Sequence, residues 1–454
     1  MRIASLFFAF FFMISASSLS AQSNSTAAQA AEEPRSDHTS SFLLPPSSFL
    51  ENAVSAAEEP RSGSSSQFPG LDFDANGDFV LCQITDMHEY YPVNEEAFRL
   101  LDENLGRVHP SLAIITGDNT WLFGNRESFP KVVERIVALL RKHNIRFAVT
   151  FGNHDSQKTG PELMDRQEQY NCFKELGGEL FVDFDVPELY GVGNGAIALR
   201  QDGVDKFLLV IMDNANTPKI PWGEFLCDDA QIRWYEENAS HLPCLWFQHV
   251  IIWDVYEDGL LQEVAPVQEA HPQFLETVDA DPKDPNAFYS EPLKKHIRAL
   301  PQGAVWLPEV ERYAIPVPGM AWVPALGKYM LGAEGSLWCP MVEKFLTLAP
   351  GVTGQMKEPP APPRKVVYES EPYTYQGRTL YQSWLKCGNM KGAFFGHDHV
   401  NDFLGIDKNG ITLGYTKSAT LSGYNDANPG VRYFCVHADG TYTTWQITAA
   451  DLRQ

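Results

Sequence analysis

Cysteine and positive charge are both scarce in this sequence. It has seven cysteines in 454 residues, and no Cys-x-x-Cys pair, so neither a disulfide-rich scaffold nor a zinc ribbon is expected. Lys and Arg number 35 against 58 Asp and Glu, which gives a net charge of −23. Binding to nucleic acid through phosphate neutralisation is therefore not expected unless one face is locally basic.

Two well-known catalytic motifs are also missing. The sequence has no His-Glu-x-x-His of a zinc peptidase and no Gly-x-Ser-x-Gly of a serine hydrolase. Its composition is 44% hydrophobic and 12% aromatic, which is typical of globular proteins and excludes a wholly disordered or collagen-like chain.

The apolar run at the N-terminus is too short for a comfortable membrane span. It follows Arg2 and continues to Ile14, about 12 apolar residues where a span needs about 20. A basic start, a short apolar core and a small-residue exit predict a signal peptide over residues 1–21. We therefore expect a secreted or periplasmic protein without a stable membrane span after cleavage. A signal anchor in the membrane is the alternative.

Residues 22–69 are rich in Ser, Ala, Pro and Glu and contain a short internal repeat. The segment Ala30–Ser36 (AAEEPRS) recurs at Ala56–Ser62. Too few apolar residues are present to offset the entropy lost on ordering, so a disordered linker is predicted.

From Phe79 onward, short apolar runs alternate with helix-like stretches. The stretches 95–108 and 129–143 lie between strand-like runs at 79–85, 112–116 and 146–151. This alternation predicts an α/β fold with parallel strands, whose ligands bind at the carboxyl ends of the strands. Later runs at 207–212, 245–247 and 393–395 also end in polar residues, and the last hundred residues are predicted to be mainly β.

Residues 256–385 break this rhythm and are rich in Pro and Trp. They are predicted to be a long insertion before the last polar motif. A lid or substrate wall and a plain surface excursion are both open interpretations.

The polar residues at the strand ends share one chemistry. Imidazole nitrogen and carboxylate oxygen together suit Zn, Mn or Fe, and no cysteine joins them to suggest a thiolate zinc site. Two carboxylates, one amide and four of the five imidazoles make seven ligands, more than one ion needs, whereas two ions sharing a carboxylate would use them all. The strand-end residues are Asp86, His88, Asp118, Asn153, His154, His249, His397 and His399.

The order of these motifs resembles that of the calcineurin-like metallophosphoesterases, and more fully that of their purple-acid-phosphatase-like branch. The resemblance covers roughly residues 78–447 and implies a four-layer α/β/β/α sandwich within a domain at 70–454. The segments that carry it are Ile84–His88 (ITDMH), Thr116–Asn119 (TGDN), Phe151–Asp155 (FGNHD) and Phe395–Phe403 (FGHDHVNDF).

The resemblance also implies which residues bind metal. His249 departs from the family pattern, because Val250 stands where a proline usually follows that histidine, and His241 is a weaker candidate for its place. The implied ligands are Asp86, His88 and His399 for a first ion, Asn153, His249 and His397 for a second, and Asp118 as the bridge.

Three further residues have implied roles at the substrate. His154 would contact the phosphate and assist the leaving group, Asp155 would orient His154, and Asn119 would contact a phosphate oxygen. Trp121 stands where purple acid phosphatases have an iron-binding tyrosine, so no Fe(III)–tyrosinate colour is expected. The two divalent ions remain open among Mn, Fe, Zn and Co.

Together these features predict a secreted metal-dependent hydrolase of phosphoesters, with a bridging hydroxide as nucleophile. Phosphomonoesterase activity is favoured over phosphodiesterase activity on the same fold. A non-catalytic module that binds metal or phosphate is the alternative outside enzymes. Cys227 and Cys244 are candidates for a disulfide in an oxidising compartment.

Overall fold

Two β-sheets packed face to face form the centre of the molecule. The computed structural model describes residues 67–121, 124–214, 226–256, 259–269, 276–281, 284–290, 295–297, 305–307, 312–315, 320–339, 342–361, 376 and 378–453. The predicted signal peptide and all but the last three residues of the predicted linker lie outside them. Phe68, in those three residues, is buried and packs against Trp234 with ring centroids 6.1 Å apart. Phe68, near the end of the predicted linker, thus contacts the folded part, and the boundary at residue 70 stays a prediction.

Strands and helices are numbered along the chain. The strands of the two large sheets are β1 (Gly70–Asp72), β2 (Asp78–Ile84), β3 (Leu112–Thr116), β4 (Arg146–Thr150), β5 (Gly195–Gln201), β6 (Val204–Met212), β7 (Cys244–Gln248), β19 (Met390–Phe395), β20 (Leu404–Ile406), β21 (Thr412–Tyr415), β22 (Gly430–His437) and β23 (Tyr442–Thr448). Those between β7 and β19 are β8 (Leu261–Val264), β9 (Gln268–Glu269), β10 (Glu276–Asp281), β11 (Asp284–Ser290), β12 (Lys295–Ile297), β13 (Val305–Leu307), β14 (Arg312–Ile315), β15 (Met320–Val323), β16 (Lys328–Leu331), β17 (Leu337–Cys339) and β18 (Lys344–Leu348). The α-helices are α1 (Glu95–Val108), α2 (Phe129–Lys142), α3 (Arg166–Gly177), α4 (Asp229–Trp234), α5 (Leu380–Cys387) and α6 (Ala449–Leu452).

The first sheet has the order β23-β22-β2-β3-β4. Strands β2, β3 and β4 are parallel, as predicted, because α1 and α2 cross over between them. Asn94 begins α1 by accepting hydrogen bonds from the backbone N–H groups of Glu96 and Ala97, both at 3.1 Å. Strands β22 and β23 add an antiparallel hairpin at the other side of β2.

The second sheet has the order β1-β5-β6-β7-β19-β21-β20. Its middle strands β6, β7, β19 and β21 are parallel, while β5 pairs with β6 as an antiparallel hairpin. Polar residues that follow β7 and β19 therefore leave this sheet at the same edge.

Three buried apolar clusters arrange these elements in layers. Leu81 and Ile114 of the first sheet meet Leu209 and Phe394 of the second in the cluster between the sheets. Helices α1, α2 and α3 pack on the outer face of the first sheet, and α4 and α5 pack on the outer face of the second, where Trp384 meets Trp246. This α/β/β/α arrangement confirms the predicted fold.

Strands β8 to β18 come between β7 and β19 along the chain, although β7 and β19 are direct neighbours in the second sheet. They form three small antiparallel sheets of five, three and three strands. Leu261, Cys339 and Leu346, all from the three-stranded sheet β17-β18-β8, join the outer cluster around Trp246. These strands fall within the predicted insertion, whose limits and role remain a prediction.

Candidate metal centre

The two sheets bring their carboxyl ends together, and the predicted site residues lie there. Asp86 follows β2, Asp118 follows β3, and Asn153 and His154 follow β4. From the second sheet, His249 follows β7, and the His397–His399 turn follows β19. The structure therefore gathers residues from five strands in one buried region.

The backbone at four of these residues is left-handed. The φ angles are 54° at Asp86, 46° at His88, 51° at Asp118 and 72° at His397. Residues other than glycine seldom adopt such angles, and they persist only where the surrounding structure enforces them. Their concentration here is typical of a functional site whose side chains must be aimed inward.

Two glycines are required because backbone segments approach the carboxylates closely. A Cβ on Gly152 would lie 2.2 Å from Asp118 Oδ1. A Cβ on Gly396 would lie 2.1 Å from Thr85 Oγ1 and 2.6 Å from Asp86 Oδ2. Gly152 and Gly396 thus make room for the acids, which explains why a glycine precedes Asn153 in one motif and His397 in the other.

Asp86, His88 and His399 form the first group of candidate ligands, with ligand atoms all within 4.8 Å of one another. His399 Nε2 lies 3.4 Å from Asp86 Oδ1 and 3.1 Å from His88 Nε2. His399 Nδ1 lies 2.7 Å from the carbonyl oxygen of Tyr424. Because a carbonyl only accepts, Nδ1 carries the hydrogen and the Nε2 lone pair points to the group, as in metal-binding histidines.

Asp118, His249 and His397 form the second group, with the same 4.8 Å limit. His249 Nε2 lies 3.2 Å from Asp118 Oδ2, and its Nδ1 lies 2.9 Å from the carbonyl oxygen of Thr116, so the same argument fixes its tautomer. Asp118 Oδ2 is also 3.4 Å from His88 Nε2 of the first group. The two groups therefore share a border at Asp118.

The buried polar atoms of these groups fit a metal better than they fit an empty interior. Each buried atom left without a hydrogen bond costs about 1–3 kcal/mol, and a cation would satisfy several such atoms together. Asn153, which completes the predicted set, is buried as well. The buried side-chain atoms without a hydrogen bond include Asp86 Oδ1, Asp118 Oδ2, Asn153 Oδ1 and His249 Nε2.

Burial and the neighbouring carboxylates change the pKa values of the histidines in these two ligand groups. Burial lowers the pKa of His88 to about 3 and that of His397 to about 4, so both imidazoles are neutral and ready to bind metal. Burial also acts to lower the pKa of His249, but the carboxylates of Asp118 and Asp86 overcome it and raise the pKa to about 10. Metal binding at His249 therefore competes with a proton.

The carboxylate of Asp155 is bound by backbone groups. It accepts hydrogen bonds from the backbone N–H groups of Gly152, Asp118 and Asn119 at 2.7–2.9 Å. Burial and the nearby Asp118 raise its pKa to about 7. These contacts hold the turns after β3 and β4 together, so Asp155 positions the backbone around Asp118. Its predicted role in orienting the ring of His154 stays a prediction.

Asn119 is fully buried, and its amide nitrogen lies 3.4 Å from both oxygens of Asp155. His154 is only partly buried, and its backbone N–H donates to Asp118 Oδ1 at 2.8 Å. Trp121, 43% exposed, lies beside the rings of His88 and His154, with centroids 5.0 and 5.8 Å away. His154 and Trp121 are therefore the groups of this set that face outward.

Tyr424 is a site residue that the sequence did not reveal. Its ring stacks on His399 with centroids 3.9 Å apart, and its hydroxyl donates to Glu358 at 2.7 Å. Glu89 acts similarly on the loop after β2, accepting from Ser422 and from the backbone of Asn94 at 2.9 Å each. Glu89 and Ser422 are hundreds of residues apart in sequence. Neither the segment Ser422–Asp426 (SGYND) nor Glu89 belongs to a sequence motif that would predict these contacts.

The structure answers two further predictions, one about His241 and one about the pair Cys227 and Cys244. His241 precedes β7 while His249 follows it, so the whole strand separates His241 from the candidate centre and it does not replace His249. All seven cysteines are free, including Cys227 and Cys244, so the prediction of a disulfide between these two is wrong. Cys227 Sγ instead lies 3.7 Å from Gln248 Oε1, and Cys244 Sγ lies 4.0 Å from Met390 Sδ.

Comparison with known proteins agrees with this geometry. Residues 79–256, the part of the chain that holds β2 to β7, match the family model described as calcineurin-like phosphoesterase. This match supports the superfamily but does not distinguish its purple-acid-phosphatase-like branch. A metal-dependent phosphoesterase domain with candidate His/Asp metal ligands is thus supported. No curated protein matches the chain.

The chain is also similar to solved structures. One is the crystal structure of the protein TT1561 of Thermus thermophilus, with 5% identity, a TM-score of 0.34, and coverage of 81% of this chain and 98% of that one. A second has 8% identity, a TM-score of 0.35, and coverage of 81% and 99%. Among the described residues, no helix has the length and apolar character that crossing a membrane requires.

Proposed function

We propose that this protein is a metal-dependent phosphoester hydrolase with a dinuclear centre, acting outside the cytoplasm after removal of residues 1–21. The observation that carries the proposal is the pair of three-residue ligand groups that meet at Asp118, each with buried donor atoms directed inward. The ligand types suit Mn, Fe, Zn or Co. The first ion would be held by Asp86, His88 and His399, and the second by Asn153, His249 and His397, with Asp118 shared.

Each residue has a distinct task in this proposal. When bound, two divalent ions would supply an activated water near neutral pH and polarise the phosphoryl oxygens. Asp86 and Asp118 neutralise part of the ionic charge, while Thr85 and the His397 backbone hold Asp86 Oδ2 through hydrogen bonds of 2.7 and 2.9 Å. His154, at the outer side, would protonate the leaving oxygen, a general-acid role.

A phosphomonoester is the favoured substrate, and a phosphodiester is the alternative on the same site. A non-catalytic module is less well supported, because such a protein would be expected to have lost ligands and each implied ligand is present. The same proposal treats residues 22–69 as a linker and residues 256–385 as an insertion that shapes access.

The activity test uses the full chain after removal of metal with a chelator. Mn, Zn, Fe and Co are added back singly and in pairs, and release of 4-nitrophenol is measured from its mono- and bis-phosphate esters. We expect metal-restored hydrolysis, faster for the monoester. Faster hydrolysis of the bis-ester would favour the diesterase. Metal binding without hydrolysis of either ester would favour the non-catalytic module, and no metal binding would refute the proposed centre.

Trp121 is proposed to contact the leaving group of the substrate. It is exposed beside His154, and an aromatic contact adds about 0.5–1.5 kcal/mol beyond buried area. Trp121→Ala is therefore expected to raise the KM for 4-nitrophenyl phosphate about 2- to 10-fold, without the same change for glycerol phosphate. Steady-state kinetics with both substrates measure the difference.

Trp445→Ala is the matched control, because Trp445 is an exposed tryptophan on β23. It is expected to leave both KM values unchanged. Equal changes for the aryl and alkyl substrates in Trp121→Ala would mean that Trp121 acts through His88 and not on the leaving group. Metal content measured in the same samples separates those two effects.

A further inference from the structure

A third group of metal-binding side chains lies away from the candidate centre. Asp78, Cys435 and His437 have ligand atoms all within 4.8 Å of one another. In the part of the chain that the structure describes, this is the one such group that contains a cysteine. The phosphoesterase proposal does not use it.

The ladder between β2 and β22 creates this group. Asp78 pairs directly with His437, and Val80 pairs with Cys435. Cys435 and His437 are two residues apart, so they project from the same face of β22. His437 Nδ1 lies 2.6 Å from Asp78 Oδ1, and hence the three donors converge because of regular strand pairing, not because of loop conformation.

The backbone around the group is held in place. The Ala438 N–H donates to the Gly77 carbonyl at 2.8 Å, and the Asp78 N–H donates to Asp74 Oδ1 at 2.9 Å. The side chains of His437 and Asp78 are 33% and 40% exposed, and Cys435 is partly exposed. An ion from solvent can therefore reach donors that are already arranged.

We propose that Asp78, Cys435 and His437 bind one Zn²⁺ or a similar borderline ion, with water as the fourth ligand. Thiolate, imidazole and carboxylate are the donors that tetrahedral zinc takes, whereas Ca²⁺ takes oxygen donors only. Zinc bond lengths of about 2.0–2.3 Å put ligand atoms roughly 3.3–3.8 Å apart. The Asp78–His437 pair opens slightly, the Cys435 thiol loses its proton to solvent on binding, and the His437 ring binds through the lone pair of one nitrogen.

This site is separate from the candidate catalytic centre. Asp78 begins β2, while Asp86 follows its end, so the two sites are on the order of 20 Å apart along the strand. An ion at Asp78 would join the beginning of β2 to the end of β22. Its effect is on stability, because a ligand that binds only the folded state raises the melting temperature.

Co²⁺ is the probe that distinguishes the two sites. A thiolate bound to Co²⁺ gives a charge-transfer absorption band in the near ultraviolet, and the candidate catalytic centre has no thiolate ligand. We titrate the metal-free, reduced full chain with CoCl2 and expect this band to saturate at an intensity that corresponds to one thiolate-bound Co²⁺ per chain. Cys435→Ser should abolish it, and His437→Ala or Asp78→Asn should weaken Co²⁺ binding at this band at least ~10-fold.

Cys172→Ser is the matched control, since Cys172 is another partly exposed thiol, and it should keep the band. All variants should retain their circular dichroism spectra and, if the proposed function holds, their phosphoester hydrolysis. Absence of the band in the wild-type chain would overturn the proposal. A band that survives Cys435→Ser would overturn it as well. So would an unchanged Co²⁺ affinity at this band in both His437→Ala and Asp78→Asn. Neither result depends on whether the chain hydrolyses phosphoesters.

Discussion

We expect Asp118→Asn to slow phosphoester hydrolysis by ~10³-fold or more and to weaken metal binding at both ligand groups together. Asp118 Oδ2 lies 3.2 Å from His249 Nε2 of one group and 3.4 Å from His88 Nε2 of the other. Losing its charge therefore affects both ions, and with them the activated water that they supply near neutral pH. Metal content by elemental analysis and kcat with 4-nitrophenyl phosphate measure the two effects.

Asparagine is the right replacement at this position. Asp118 has a left-handed backbone with φ of 51°, and Asn tolerates that conformation where Ala is strained. Its amide oxygen can still accept the hydrogen bond that the His154 N–H gives to Asp118 Oδ1. Loss of function thus reports the missing charge and not a collapsed turn.

The control for this variant is Asp72→Asn, which removes an exposed carboxylate in β1. It is expected to keep both metal content and rate. An Asp118→Asn enzyme that binds two ions and turns over at the wild-type rate would show that Asp118 is not the shared ligand. Loss of a single ion would assign Asp118 to one group alone.

The main features of the fold were predictable because strand ends carry local signals. Apolar runs that stop at Gly-Asp or Gly-Asn-His predicted β3 and β4, and the 3.6-residue spacing of Val133, Ile136 and Val137 predicted α2, all three of which are buried. The β5–β6 hairpin was not predicted, although Asp202-Gly203 between its strands is a hairpin turn signal. The alternation of strands and helices predicts parallel pairing, and it gives no sign of this antiparallel pair.

The ligand groups were predictable for a different reason from the residues that support them. Asp86 and His399 belong to short motifs whose composition already suggests metal chemistry. Tyr424 contacts His399 only because the turn after β21 and the loop after β19 meet in the folded chain. Asp155 likewise reveals its backbone partners only in three dimensions. A sequence pattern identifies donors, but it does not identify what orients them.

His154→Ala is expected to slow hydrolysis of an alkyl phosphate by ~10²–10⁴-fold while leaving the metal content unchanged. His154 is partly exposed at the outer side of the centre and is held by its backbone hydrogen bond to Asp118. A general acid matters most when the leaving oxygen is basic, so the loss should be much smaller for 4-nitrophenyl phosphate. The kcat values of a series of phosphate monoesters with different leaving groups measure this dependence.

His241→Ala is the matched control, because His241 is exposed and lies before β7, at the end opposite His249. It is expected to leave every substrate unaffected. If His154→Ala slows alkyl and aryl esters equally, His154 binds the phosphate and does not protonate the leaving group. If metal is lost from the variant, His154 acts through Asp118 and the turn after β4, and the rate loss then has the same origin as that of Asp118→Asn.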